Sequence, residues 1–291
     1  SAFSGCTSLT SIVIPSSVTA IGNWAFFGCT SLTSVEIPEG VTEIGLGTFS
    51  GCTSLTSIEI PSSVTEIGSS AFSKCTSLTS IEIPSSVTEI GSSAFNACSS
   101  LTSIVVEEGN SVYDSREGCN AIIETTTNKL IYGCNSTIIP SSVTKIGWYA
   151  FYRCTSLTSV VIPEGVTEIG NVAFSGCTSL TSIVIPEGVT EIGPCAFYDC
   201  TSLTSVVIPS SVTAAIDYSA FEGCTSLASV TLSEALTAIG DRTFAGCSTL
   251  SDVVIPKNVV TIGASAFEEC DALIALVVFE DSKLTTIGSS A

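Results

Sequence analysis

Hydrophobic and polar positions alternate in short stretches that recur along the whole chain. In the segment 55–60, Ile58 and Ile60 are apolar, whereas Ser57 and Glu59 are polar. Alternation of this kind, rich in β-branched residues, is typical of a half-buried strand. The pattern therefore predicts that Ile58 and Ile60 point inward and that Ser57 and Glu59 point outward.

The remainder of the same unit predicts a return of the chain. Pro61 ends the strand, because proline cannot donate a ladder hydrogen bond, and 64–67 forms a second short strand. We expect Gly68 to turn the chain through a positive φ angle. The segment 69–72 then predicts a helical or 3-10 turn with a serine cap, which directs Phe72 into the core.

This unit recurs with a nearly constant period. Cysteines lie 23 residues apart from Cys6 to Cys98 and again from Cys154 to Cys200, and a step of 24 precedes Cys224. Leucine and phenylalanine columns follow the same spacing. A single unit cannot bury its own apolar residues, but stacked units bury them against one another.

The sequence therefore predicts an α+β repeat solenoid. It has a parallel sheet along one face, short second strands and helical turns. We expect residues 1–291 to form a single solenoid of about 12 coils. At about 4.8 Å per coil the rod is on the order of 60 Å long. The chain begins and ends without an atypical capping repeat, which favours a piece of a longer protein.

One repeat departs from the pattern. The interval from Cys98 to Cys154 is 56 residues, which is 23 plus 33, so one irregular repeat of 33 residues, near 107–139, carries about ten extra residues. Within it, 121–124 and 129–132 flank a four-residue polar loop, which predicts an inserted β-hairpin with Glu124 opposite Lys129.

Two cysteines share the register of this hairpin. Cys119 and Cys134 face each other if Glu124 pairs with Lys129, so an oxidising compartment would permit a disulfide there. The bridge would contribute about 3 kcal/mol. In the alternative, both thiols stay free and Cys134 fills the leucine column. The sequence leaves both readings open.

The repeat Leu-x-x-Ile-x-Ile-Pro…Val-Thr-x-Ile-Gly…Ala-Phe-x-x-Cys resembles the BspA-like branch of the leucine-rich repeats over nearly the whole chain. The resemblance implies a cell-surface or secreted protein that adheres to host proteins or to other cells. It does not imply a particular ligand.

Charge and composition exclude several functions. The chain has 27 acidic and 8 basic residues, a net charge of −19, which argues against binding nucleic acid or anionic lipid. No apolar run approaches the roughly 18 residues of a membrane helix, so we expect no direct membrane insertion. Histidine is absent, and no catalytic or nucleotide-binding motif is present. We therefore predict no enzymatic activity, no catalytic residue and no cofactor.

The column of cysteines does not predict a metal site, because equivalent thiols would stack in one direction rather than converge on an ion. We expect free, buried thiols that act as small apolar side chains. Cys195 lies off this column and is a candidate reactive surface thiol.

Three sets of surface residues could bind a partner. Acidic columns favour solvated carboxylates over a calcium site, since no calcium-binding loop is present. Their members are Glu36, Glu59 and Glu82, then Glu43, Glu66 and Glu89, with Glu168 and Glu191 further along.

Aromatic residues occupy turn positions that are mostly serine, glycine or alanine elsewhere, which favours either binding or packing over the adjacent turn. They are Trp24, Phe27, Trp148, Tyr149, Tyr152, Tyr198 and Tyr218. The serine and threonine residues of each coil predict local hydrogen bonds to turn backbone groups, in preference to an ice-binding or glycosylated surface.

The sequence thus supports two functions. The first is a non-catalytic binding or adhesion scaffold, outside the cell or on its surface, for a protein or glycan of a host or neighbouring cell. The alternative is a structural surface protein that assembles head to tail into fibres.

Overall fold

The computed structural model describes residues 1–291. The chain divides into two compact units, Ser1–Ile138 (unit 1) and Ile139–Ala291 (unit 2). Each unit is a stack of coils joined by short parallel strands.

Unit 1 contains ten strands. They are β1 Ser11–Val13, β2 Ser34–Glu36, β3 Glu43–Ile44, β4 Glu66–Ile67, β5 Ser80–Ile83, β6 Glu89–Ile90, β7 Ser103–Val106, β8 Tyr113–Asp114, β9 Ala121–Glu124 and β10 Lys129–Gly133. Unit 2 contains thirteen. They are β11 Lys145–Ile146, β12 Ser159–Val161, β13 Glu168–Ile169, β14 Ser182–Val184, β15 Glu191–Ile192, β16 Ser205–Val207, β17 Ala215–Ile216, β18 Ser229–Thr231, β19 Ala238–Ile239, β20 Asp252–Ile255, β21 Thr261–Ile262, β22 Ala275–Val278 and β23 Thr286–Ile287.

Outside the hairpin, equivalent residues of neighbouring coils face each other in parallel register. Ser11 pairs with Ser34 in unit 1, and Ser159 pairs with Ser182 in unit 2. The strand pattern predicted from residues 57–60 is confirmed, because Ile58 and Ile60 are buried while Ser57 and Glu59 are exposed. Parallel pairing one repeat apart is what places like side chains in columns.

The core of each unit contains a column of stacked phenylalanine rings. Phe26 and Phe49 have centroids 5.3 Å apart in unit 1, and Phe174 and Phe197 are also 5.3 Å apart in unit 2, with parallel planes. The cysteine column lies next to these rings. The Cys200 thiol donates a 3.2 Å hydrogen bond to the carbonyl of Phe174 in the preceding coil, and the same contact recurs along both stacks.

All 14 cysteines are free thiols. Burial raises the pKa of Cys52 to about 12, and of Cys98 to about 12, so these thiols stay protonated at neutral pH. The predicted burial of the cysteine column is confirmed from Cys29 onward, whereas Cys6 in the first coil is exposed. The structure adds that nine of these sulfurs, in coils from Cys29 to Cys270, donate hydrogen bonds between coils as well as filling apolar space.

The helical part of the predicted fold is wrong. The chain has no α-helix, and its only 3-10 helix is Arg116–Gly118 in the insertion. In segment 69–72, Ser70 has φ 56°, which breaks a helix, and the Phe72 amide donates to the Ala94 carbonyl of the next coil at 2.8 Å. Alternate turn amides thus bond to the next coil, while those between them, such as Ala71 to Gly68, donate to the carbonyl three residues back.

The reason for the glycine column also differs from the prediction. Gly68 does not have a positive φ, and the left-handed residue is Ser70, two positions later. A Cβ at Gly68 would lie 2.8 Å from the carbonyl carbon of Gly45 and from the amide nitrogen of Leu46. Glycine is therefore required at this corner because the backbones of neighbouring coils approach too closely for a side chain.

The predicted hairpin is present in β9 and β10, with Lys129 opposite Glu124. An irregularity between Leu130 and Tyr132 then shifts the register, so that Gly133 faces Ala121. The register expected for Cys119 and Cys134 is therefore not the observed one. Both are free; the Cys134 thiol donates to the Asn120 carbonyl at 3.3 Å.

The insertion closes the last regular coil of unit 1 with side chains. The Tyr132 hydroxyl accepts from the Ala94 amide and donates to the Gly91 carbonyl, both at 2.9 Å, while its ring meets Phe95 edge-on at 5.4 Å. The Tyr113 hydroxyl accepts from the Ile90 amide at 3.2 Å. The Tyr113 hydroxyl takes the place of a carbonyl that a further strand would offer, whereas the Tyr132 hydroxyl bridges a turn in which the Ala94 amide also donates to Gly91 at 3.3 Å.

Candidate binding surfaces

The most exposed aromatic group lies at the first turn of unit 2. Trp148 is 61% exposed, and the Tyr149 and Tyr152 rings meet edge-on with centroids 5.6 Å apart. The Arg153 guanidinium lies 5.6 Å from the centre of the Tyr152 ring, within the range of a cation–π contact. Trp148, Tyr149, Tyr152 and Arg153 are called the aromatic patch below.

Local backbone geometry places these side chains on the surface. Tyr149 has φ 60° and Arg153 has φ 58°, so two left-handed residues bracket the turn. The Trp148 indole also covers part of the next coil, since its Cδ1 lies 2.7 Å from the place a Cβ on Gly170 would occupy. Trp148 therefore both packs on its neighbour and presents most of its ring to solvent.

The other predicted aromatic residues are arranged differently. In unit 1, Trp24 packs on Gly47 of the next coil and meets Phe27 edge-on at 5.3 Å. In unit 2, no ring contact joins Tyr198 or Tyr218 to the aromatic patch, and Tyr218 is 48% exposed. Packing over the adjacent turn, rather than partner binding, therefore describes Trp24 best. The structure does not bring all the aromatic residues together.

Glutamates form the predicted columns. Glu43, Glu66 and Glu89 lie opposite one another in β3, β4 and β6. Partial burial, with the charges of Glu43 and Glu89, raises the pKa of the Glu66 carboxyl. In unit 2, by contrast, Lys145 pairs with Glu168 at 2.7 Å.

Unit 1 also carries two acidic grooves beside its longer strands. One of about 540 Å³ is lined by Glu59, Glu82 and Glu107, and the other, of about 510 Å³, by Glu36 and Glu59. Such surfaces repel anions and attract cations. No group of three or more Asp, Glu or Cys side chains is placed to hold a metal ion.

Sequence reasoning missed an apolar column on the corresponding strands of unit 2. Val161, Val184 and Val207 are exposed, and Val161 pairs with Val184 in register. The equivalent positions in unit 1 include Glu36 and Glu59. The signal was available in the sequence, because the residue between the two inward-facing strand residues is glutamate in three coils of unit 1 but valine at Val161, Val184 and Val207.

The serine and threonine residues satisfy backbone carbonyls, as predicted, but between coils rather than within a turn. The Thr33 hydroxyl donates to the Thr10 carbonyl at 3.1 Å, and Thr204 donates to Thr181 at 3.2 Å. The Asn135 amide of the insertion donates to the carbonyls of Leu101 and Ser99. These hydroxyl and amide groups already donate hydrogen bonds to the backbone of the neighbouring coil.

Cys195 is half-buried in unit 2. Burial and the charges of Glu222 and Asp217 raise the pKa of its thiol. A raised pKa lowers the thiolate fraction, so this environment disfavours the reactivity expected from its position off the column.

No helix of the chain is long and apolar enough to span a membrane.

No curated protein matches the sequence. Several solved structures are similar. A leucine-rich cell surface protein from Faecalibacterium prausnitzii is 32% identical, with a TM-score of 0.64, over 92% of this chain and 78% of its own.

Two further leucine-rich repeat proteins align over most of their length. One from Eubacterium ventriosum is 25% identical with a TM-score of 0.69, covering 95% of this chain and 86% of its own. One from Bacteroides ovatus is 28% identical with a TM-score of 0.57, covering 99% and 76%. The family described as the BspA type leucine-rich repeat region matches residues 1–118, 124–218 and 202–291. The chain therefore belongs to the BspA-type leucine-rich repeat family.

Proposed function

We propose that this chain is a non-catalytic binding scaffold that works outside the cell or on its surface. The repeat architecture supports a scaffold, because its core columns are uniform and its surface positions vary. The description of the Faecalibacterium prausnitzii relative as a cell surface protein supports the location. No arrangement of side chains described above suggests a reaction.

The aromatic patch is the observation that carries the binding proposal. Three aromatic rings and a guanidinium are gathered at one turn, and Trp148 remains mostly exposed. Aromatic residues and arginine contribute most of the energy at many protein interfaces, and exposed rings also stack on sugars. We propose that the patch contacts a protein or glycan of a host or neighbouring cell.

The test replaces Trp148 and Tyr149 together with alanine. Binding of the labelled 291-residue chain to epithelial cell monolayers and to immobilised glycans should fall by tenfold or more, about 1.4 kcal/mol or more. Circular dichroism and the melting temperature establish that the variant is folded.

Trp24→Ala supplies the matched control, since Trp24 packs against Gly47 in unit 1. It should lower the melting temperature and leave binding unchanged. Undiminished binding by the Trp148/Tyr149 variant would exclude the aromatic patch. Ordered filaments in the same preparation, seen by negative-stain microscopy, would favour the head-to-tail alternative predicted from the sequence.

A further inference from the structure

One boundary between coils in unit 2 lacks part of the backbone ladder that joins its neighbours. Strands β11, β13 and β15 pair in turn, and β17, β19, β21 and β23 form a separate ladder. Strands β15 and β17, which follow each other in the stack, are not paired. We call the boundary between β15 and β17 the break.

The boundaries on either side show what is missing. Before the break, the Gly193 amide donates to the Ile169 carbonyl at 2.9 Å. After the break, the Gly240 amide donates to the Ile216 carbonyl at 2.8 Å. At the break, the residue in the glycine position is Asp217, and its amide donates to no backbone carbonyl.

Two sequence changes explain the break. The first is Asp217 itself, since a glycine normally allows the close approach at this corner. At Gly240, for example, a Cβ would lie 2.7 Å from the Ile216 carbonyl oxygen. The second is the 24-residue spacing from Cys200 to Cys224, which places one extra residue in this coil. Together they hold β17 away from β15.

Other parts of this boundary remain bonded. The Cys195 amide donates to the Tyr218 carbonyl at 2.9 Å, and the Phe197 amide donates to Ala220 at 2.8 Å. The Cys224 thiol donates to the Phe197 carbonyl at 3.2 Å. Strands β14 and β16, which flank the same boundary, are not paired either, so the turn 195–199 and the Thr204 amide supply the backbone hydrogen bonds that remain.

We propose that the break is the site where unit 2 opens first, as a conformational device built into the repeat. Local opening is favoured where few backbone hydrogen bonds hold neighbouring segments. Opening begins between β15 and β17 and spreads along the bonds made by 195–199, before the stacks on either side lose structure. This inference is independent of the proposed binding function.

Hydrogen exchange of the full chain, followed by mass spectrometry, tests the proposal. Amides of 195–199 donate across the break, whereas those of 172–176 make the equivalent bonds across the preceding, intact boundary. We expect the bonded amides of 195–199 to exchange about tenfold faster or more. Equal protection of the two segments would overturn the proposal.

A repaired variant separates the break from other causes. Deleting Ala214 and replacing Asp217 with glycine restores the 23-residue spacing and the close corner. In this variant the exchange of 195–199 should slow to that of 172–176. Glu191→Gln, which removes a charge from the edge of β15 without changing the spacing, should leave the difference in place. Fast exchange that persists in a folded repaired chain would also overturn the proposal.

Discussion

Single residues in this fold are constrained mainly by the neighbouring coil. The glycine column shows this clearly, because Gly68 lies against the backbone at Gly45 and Leu46 rather than in a left-handed conformation. The left-handed positions themselves accept ordinary residues, including Tyr149 and even the β-branched Val172. Close approach is thus the stricter of the two requirements.

Gly68→Ala should destabilise unit 1 by about 1–3 kcal/mol, because backbone rather than a flexible side chain must move to admit the new methyl group. Urea denaturation monitored by circular dichroism measures the change. Gly22→Ala is the matched control, since it has the same place in the repeat but nothing within 4 Å of its Cβ. Equal losses in the two variants would contradict this account of the column.

At this scale the sequence predicted which residues are buried but not why several of them are there. The alternation at 57–60 predicted inward and outward side chains correctly, because burial on one face follows directly from a period of two. The roles of Gly68 and of the cysteines depend on atoms 22 or more residues away. Such contacts follow from the inter-coil distance, which the local pattern does not contain.

The short strands and turns of the chain are stabilised by hydrogen bonds to the neighbouring coil. Most strands outside the insertion have two to four residues, too few to be stable alone, and their hydrogen bonds run to the next coil. Helical turns were predicted from a capping serine and a phenylalanine, but every second turn amide donates to the neighbouring coil, which prevents a continuous helix. Tertiary hydrogen bonding overrides the local preference.

Where regular stacking stops, a side chain must take over. Tyr132→Phe removes the hydroxyl that bonds Gly91 and Ala94, and it should cost about 1–2 kcal/mol while the aromatic packing on Phe95 remains. The unfolding midpoint in urea measures the loss. Tyr152→Phe, on a partly exposed ring, should have little effect. A neutral result for Tyr132→Phe would show that the hydroxyl does not seal the insertion.

Across the whole molecule, the two units carry nearly the same net charge, −9 in unit 1 and −10 in unit 2, but the groups beside the stacked glutamates differ. The chain has 27 acidic residues against 8 basic ones. In unit 1 the column of Glu43, Glu66 and Glu89 stacks carboxylates of like charge, whereas in unit 2 Glu168 pairs with Lys145. Like charges at strand spacing are destabilising.

The raised pKa of Glu66 fixes the direction of a pH effect. A carboxyl whose pKa is higher in the folded chain binds its proton more tightly there, so its contribution to stability is greatest at low pH and is lost as pH rises through the folded pKa. Glu66→Gln should therefore raise the melting temperature slightly at pH 7.5, and the gain should shrink as the pH falls toward 4.5. Differential scanning calorimetry across this range measures it.

Glu168→Gln serves as the comparison, because it removes the partner of Lys145 and should lower or leave unchanged the melting temperature at pH 7.5. A melting temperature of Glu66→Gln at or below that of the wild type at pH 7.5 would contradict the repulsion argument. Added salt should reduce the difference between the two variants, since it screens exposed charges.

The thiol-to-carbonyl contacts between coils have a consequence for where this protein can fold. Many secreted domains depend on disulfides, and therefore on an oxidising compartment, for much of their stability. Here all 14 cysteines are free, and nine thiols of the main column donate to phenylalanine carbonyls of the preceding coil. No native cross-link is therefore lost under reducing conditions, and the buried thiols make these contacts only in their reduced form.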